Sequence, residues 1–202
     1  MNVLVLGASS SIGNSIVKSF AKNNKLYLLS TKREKLEILK NEAIALGSLN
    51  VEIIEADLQH PINISALMPE SIDMIINAAC ASSSLKNYNI EPHRHYYYTA
   101  VDLSNPLVVL EHFLKEKSKQ GKHTQLYYIF INTILSKIKS PDYSIYYSYK
   151  ILQQEYMSGL QRKYGDILKS INVIVGTQID RTKETKKTVD LANRIKLAIK
   201  RN

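Results

Sequence analysis

Cysteine is almost missing from this chain, for Cys80 stands alone among 202 residues. An intramolecular disulfide is therefore excluded, and a single thiol builds no metal site. One unpaired thiol fits a reducing compartment. Long apolar runs are missing too. No stretch approaches the roughly 20 residues that a membrane-spanning helix needs. The opening run Val3-Leu4-Val5-Leu6 is too short for a secretory signal, and no basic segment precedes it. These features predict a cytoplasmic protein with no membrane attachment. Proline and glycine are sparse, with 5 and 7 residues, and they gather into no linker. Together with the length, this predicts one domain over residues 1–202.

What is abundant is positive charge, with a formal net charge of +9. The densest basic groups are Lys32–Lys40, Lys115–Lys122 and Arg181–Lys187. Each falls at an expected helix end or loop, so solvated faces explain them better than a nucleic-acid surface does. A basic surface also attracts a polyanionic cofactor or a phosphorylated substrate. His93 and His95 lie two apart, but no further ligand is spaced near them, so no metal site is expected.

Short β-type runs alternate with amphipathic helical patterns along the whole chain. Strands are predicted at Val3–Leu6, Leu26–Leu29, Val51–Ile54, Ile72–Ile76, Leu126–Ile131 and Ile171–Val175. Helical spacing covers Ile12–Lys22, Lys35–Leu46, Tyr97–Lys115, Ile145–Lys163 and Val189–Ile199, with a short helix at Ile64–Leu67. The strands read as unbroken Val/Ile/Leu runs, as strands covered on both faces do. The alternation predicts an α/β protein of the Rossmann type: a parallel six-stranded sheet, order 3-2-1-4-5-6, between two helical layers.

The first strand runs into Gly7-Ala8-Ser9-Ser10-Ser11-Ile12-Gly13, and a helix follows. Such a turn brings backbone N–H groups and a helix N-terminus to a diphosphate. Gly7 permits the tight turn and Gly13 lets the helix approach the strand. Ser9, Ser10 and Ser11 offer hydroxyls to phosphate oxygens or to the helix cap. The motif resembles the Gly-x-x-x-Gly-x-Gly turn of the short-chain dehydrogenase/reductase family, with Ser11 in place of the middle glycine. The resemblance implies an NAD(P)-dependent oxidoreductase.

The end of the second strand decides between the two nucleotides. A fold that prefers NAD usually places an acid there for the ribose 2′-hydroxyl. Here the stretch reads Leu29-Ser30-Thr31-Lys32-Arg33, with no acid and two adjacent cations. Thr31, Lys32 and Arg33 would suit a 2′-phosphate, so NADP is expected rather than NAD. By resemblance, Asp57 and Leu58 after the third strand contact the adenine. Asn77-Ala78-Ala79-Cys80 after the fourth is similar to the family's Asn-Asn-Ala-Gly motif beside the cofactor. Cys80 takes the glycine position and reads as a small buried residue.

Tyr146-Tyr147-Ser148-Tyr149-Lys150 carries Tyr-x-x-x-Lys. On a helix, positions i and i+4 share a face. Tyr146 can thus act as proton donor to a carbonyl oxygen, while the ammonium of Lys150 favours the phenolate and holds the ribose. Thr133 lies thirteen positions before Tyr146, the usual family spacing between the catalytic serine and the tyrosine. The resemblance assigns it to the substrate carbonyl. Asp102 stands where the family has an asparagine that maintains a water link to the lysine. Val175-Gly176-Thr177-Gln178-Ile179-Asp180-Arg181-Thr182 is similar to the family's Pro-Gly-x-x-x-Thr stretch. By resemblance, Gly176, Ile179 and Thr182 line the nicotinamide side. Only about twenty residues follow Thr182, where typical members add a substrate loop and a seventh strand.

The expected substrate is a small carbonyl or alcohol compound. Family members often form homodimers or homotetramers, which makes Tyr97–Lys115 and Ile145–Lys163 candidate interface helices. Two other readings stand beside this one. Ser11, Cys80, Asp102 and the short C-terminus would suit a dinucleotide-binding regulatory or scaffold protein with weak or no turnover. A nucleic-acid binder on the same fold would show steep salt dependence. Thr133, Tyr146 and Lys150 at family spacing favour the enzyme.

Overall fold

The computed structural model describes residues 1–60, 64–81, 92–120, 125–133, 144–176 and 186–201. Six strands form one sheet: β1 (Asn2–Leu6), β2 (Lys25–Ser30), β3 (Asn50–Glu55), β4 (Met74–Asn77), β5 (Leu126–Thr133) and β6 (Leu168–Val175). Their order is β3-β2-β1-β4-β5-β6, and every pair is parallel. This is the expected Rossmann-type order, with its reversal between β1 and β4. The helices are α1 (Ser11–Phe20), α2 (Arg33–Ala45), α3 (Ile64–Leu67), α4 (Pro92–Thr99), α5 (Asn105–Gln120), α6 (Ser144–Tyr164) and α7 (Lys186–Arg201).

The strand pattern explains the two-sided core. Along β1, Leu4 and Leu6 join one apolar cluster, whereas Val3 and Val5 join the other. Period-two alternation puts successive side chains on opposite faces. The Leu4 face packs against Leu110 and Phe113 of α5 and Met157 and Leu160 of α6. The Val3 face packs against Ile16 and Val17 of α1, Leu36 and Leu39 of α2, and Leu191 and Ile195 of α7. A hydrophobic residue at nearly every position of β1 is thus required on both sides.

Most boundaries shift by a few residues from the sequence reading, and two of the shifts have a visible cause. Ile72 is buried yet precedes β4, because the backbone N–H of Asp73 donates to the Asn2 carbonyl at 2.9 Å and its carboxylate accepts the Asn2 N–H at 2.8 Å. β6 begins three residues early because it pairs with the whole of β5, from Leu126↔Leu168 to Thr133↔Val175.

The expected single helix over Tyr97–Lys115 is interrupted. A π-helical turn, Ala100–Ser104, separates α4 from α5, and the Asn105 N–H reaches back to the Ala100 carbonyl. Pro106 follows and has no N–H to return to the turn, so widening there forfeits less. The side chain of Asn105 donates to the Leu58 carbonyl at 2.6 Å, which ties this bend to the segment after β3.

The last helix completes the Val3 face. Ser15 of α1 donates a buried hydroxyl bond to Thr188 of α7 at 2.8 Å, and the Lys196 ammonium sits 5.6 Å from the Phe20 ring centre. Ile195 is 1% exposed within this contact. Ile195→Ala should lower the unfolding free energy by about 2–4 kcal/mol in urea titration. An unchanged midpoint would contradict this docking of α7.

Candidate active site

The site is assembled where β1 ends. Gly7 has φ +75°, and a Cβ there would lie 2.6 Å from the Ala79 Cα. A Cβ on Gly13 would lie 2.3 Å from the Gly7 carbonyl oxygen. Neither position has room for a side chain, and Gly7 has the left-handed backbone that glycine tolerates. The N–H groups of Gly7 and Ala8 both donate to the Leu29 carbonyl, at 2.9 and 3.0 Å. Ser10 caps α1, its hydroxyl accepting the Gly13 N–H at 3.0 Å. Ser9 and Ser30 hydroxyls lie 2.5 Å apart, which couples the turn to the end of β2. The first turn of α1 contains no acid, so its positive dipole end faces the opening unopposed.

A cleft of about 470 Å³ extends from this turn. Ser9, Ser10, Ser11 and Ile12 form its floor, and Thr31, Lys32 and Lys35 stand on the β2 side. Asp57 and Leu58 meet Ala78 to Ala81 and Tyr97 on another wall. Ile131, Tyr146 and Lys150 line the same cleft. Most predicted residues from β1, β2, β3 and β4 are therefore brought together with the Tyr-Lys pair of α6.

Tyr146 and Lys150 are each only 3% exposed, and the Lys150 ammonium is 5.8 Å from the Tyr146 ring centre. Among the described residues no carboxylate forms an ion pair with Lys150. Thr133 ends β5 beside Val175 of β6; its side chain lies outside the described residues.

Three predicted positions stand behind or beside the wall rather than on it. Asp102 is fully buried in the π turn, and its carboxylate accepts the Ala81 N–H at 3.2 Å. Asn77 is buried under the strand end, donating to the Tyr128 hydroxyl at 3.2 Å and accepting the Ala79 N–H at 3.2 Å. Gln153 of α6 also donates to that hydroxyl, at 3.3 Å, and burial raises the Tyr128 phenol above its ordinary range. Gly176 is exposed just past β6. Ile179 and Thr182 lie outside the described residues.

Of the two predicted cations after β2, Lys32 lines the cleft and Arg33 does not. Arg33 pairs with Glu55 at 3.3 Å and Glu37 at 3.5 Å, so its guanidinium serves the α2–β3 surface. Lys35 lines the cleft with Lys32 instead. Cys80, read as a small buried residue, is half-buried and lines the cleft. Tyr97 was also not foreseen; it lies four residues before Val101, and that helical spacing puts both on the cleft wall. The Tyr97 phenol is raised by burial first, then by Asp57, Asp102 and Cys80.

Gly13→Ala tests the turn. It should destabilise the protein by about 1–3 kcal/mol, read by thermal or urea unfolding, because the Gly7 carbonyl must move. Wild-type stability would contradict the described contact.

No helix among the described residues is long and apolar enough to cross a membrane. Among those residues no three His, Cys, Asp or Glu side chains gather as a metal site. Residues 1–190 match the sequence profile of the family described as short chain dehydrogenase. No curated protein matches the chain in sequence. A short-chain dehydrogenase from Sphingobium yanoikuyae in complex with NADPH is similar in structure, with TM-score 0.84 and 17% identity over 99% of this chain and 84% of that one. An alcohol dehydrogenase from Thermococcus sibiricus complexed with 5-hydroxy-NADP gives TM-score 0.82 and 19% identity over 99% and 91%. A metagenomic short-chain oxidoreductase in complex with NADP gives TM-score 0.79 and 20% identity over 98% and 90%. At these identities the likeness is one of fold.

Proposed function

Because this chain belongs to the short-chain dehydrogenase family, we propose that it transfers hydride between NADP(H) and a carbonyl or alcohol substrate. One observation carries the proposal. Tyr146 and Lys150, both 3% exposed, lie on the wall of the same cleft that begins at the glycine–serine turn.

The cleft suits a dinucleotide in several respects. The close backbone contacts at Gly7 and Gly13 leave the α1 terminus open to a diphosphate. Gly7, Ser9, Ser10, Ser11, Ile12 and Gly13 build that cradle. Thr31, Lys32 and Lys35 would receive a 2′-phosphate, and similar proteins have been solved with NADPH and NADP. Asp57, Leu58, Ala78 and Ala79 would border the adenosine, with Asn77 holding Ala79 in place. Gly176, Ile179 and Thr182 would serve the nicotinamide side.

When bound, the nicotinamide supplies or accepts the hydride. The Tyr146 hydroxyl gives the matching proton to the carbonyl oxygen. Lys150 favours the phenolate left behind, and its charge acts strongly because both groups are buried. Lys150 would also hydrogen-bond the ribose. Thr133, at the end of β5, orients the carbonyl. Asp102 supports the proton relay to Lys150 and holds Ala81 through its backbone bond. The chain acts as one domain over 1–202. Val108, Leu152 and Tyr156 on α5 and α6 are 50%, 51% and 44% exposed, which favours homo-oligomers through these helices.

NADPH titration reads this proposal directly, by nicotinamide emission in a chain with no tryptophan. Lys32→Ala with Lys35→Ala should weaken NADPH binding about 10-fold or more, two charge-assisted contacts being removed, and leave NADH affinity near wild type. Arg33→Ala should change NADPH affinity little. NADPH should also protect Cys80, the sole thiol, from alkylation. No binding of either nucleotide, with no protection of Cys80, would overturn the proposal.

A further inference from the structure

Three consecutive tyrosines in α4 face three different surroundings. Tyr96 is 79% exposed, Tyr98 is 9% exposed, and Tyr97 lines the cleft. Helical geometry separates them by about 100° each, so only one can face the cleft. Tyr97 is held in place from behind. It packs against the apolar cluster that contains Leu58 and Val101, and its ring centre lies 5.5 Å from that of Tyr98 with the planes tilted by 52°.

The cleft wall around it is otherwise built from small or aliphatic groups. Ala56 and Leu58 follow β3, and Ala78, Ala79 and Ala81 follow β4. Asp57 lies close enough for its charge to act on the Tyr97 phenol. Tyr97 therefore shares the cleft with the segments that follow β3 and β4. A purine base stacks favourably on an aromatic ring.

Resting on the dinucleotide reading, we propose that Tyr97 is a binding residue of the purine subsite, stacking its ring on the base of the bound nucleotide. The ring face makes the contact, and the hydroxyl is dispensable.

Calorimetric titration of the full chain with three probes tests this. NADPH carries both halves, adenosine 2′,5′-bisphosphate carries the purine half, and reduced nicotinamide mononucleotide carries the other half alone. Tyr97→Ala should weaken NADPH and adenosine 2′,5′-bisphosphate by a similar factor of about 10, the loss expected for one stacked base. Affinity for reduced nicotinamide mononucleotide should not move, and Tyr97→Phe should restore both purine ligands to within about twofold of wild type. Equal weakening of all three probes would make Tyr97 a structural residue and overturn the inference. Unchanged purine affinity in Tyr97→Ala would overturn it as well. Wild-type protein that binds no NADPH would overturn the dinucleotide reading itself and this inference with it.

Discussion

Between Gly7 and Ala79, two strand ends pass so closely that a single methyl group on Gly7 would collide with the neighbouring backbone at 2.6 Å. Gly13 extends the same constraint into α1, where a methyl group would meet the Gly7 carbonyl at 2.3 Å. These contacts set the angle at which α1 leaves the sheet and the distance between the ends of β1 and β4. This is the point where the sheet order reverses, the place where open α/β sheets hold ligands. The serines at 9, 10 and 11 can line the cleft because neither glycine fills it. The Tyr146–Lys150 pair meets the same cleft from α6 because β5 neighbours β4 in the sheet.

The polar groups around the cleft divide into those that face it and those that support it. Asp102 and Asn77 are buried, and each accepts a backbone N–H from the short segment after β4. They hold the wall formed by Ala79, Cys80 and Ala81. Tyr128 and Gln153 extend that support across β5 to α6. Among the described residues, Lys32, Lys35 and Lys150 are the cations that line the cleft. Departures from the family pattern at Ser11, Cys80 and Asp102 leave this division intact.

The sheet order was legible because strands buried on both faces leave unbroken Val/Ile/Leu runs, and Gly7 to Gly13 punctuate the first crossover. The cation switch was not legible. Arg33 and Lys35 look equally suited in sequence, but Arg33 has Glu37 one helical turn away and Glu55 across on β3, and only the fold brings Glu55 near. The π turn was hidden as well, since Tyr97–Lys115 keeps an apolar helical rhythm through the bend. The bend depends on long-range bonds from Asp102 to Ala81 and from Asn105 to Leu58. Tyr97 was masked by its neighbours, because three tyrosines in a row give no indication of which one faces the cleft.

The role of Tyr146 is tested most directly by NADPH oxidation at 340 nm against a panel of aliphatic and aromatic aldehydes and ketones, comparing wild type with Tyr146→Phe. Removing the proton donor should abolish turnover of any carbonyl the wild type reduces, at least a hundredfold by the usual contribution of a general acid, with NADPH affinity retained. A Tyr146→Phe protein that reduces the same carbonyl at the wild-type rate would contradict the assignment.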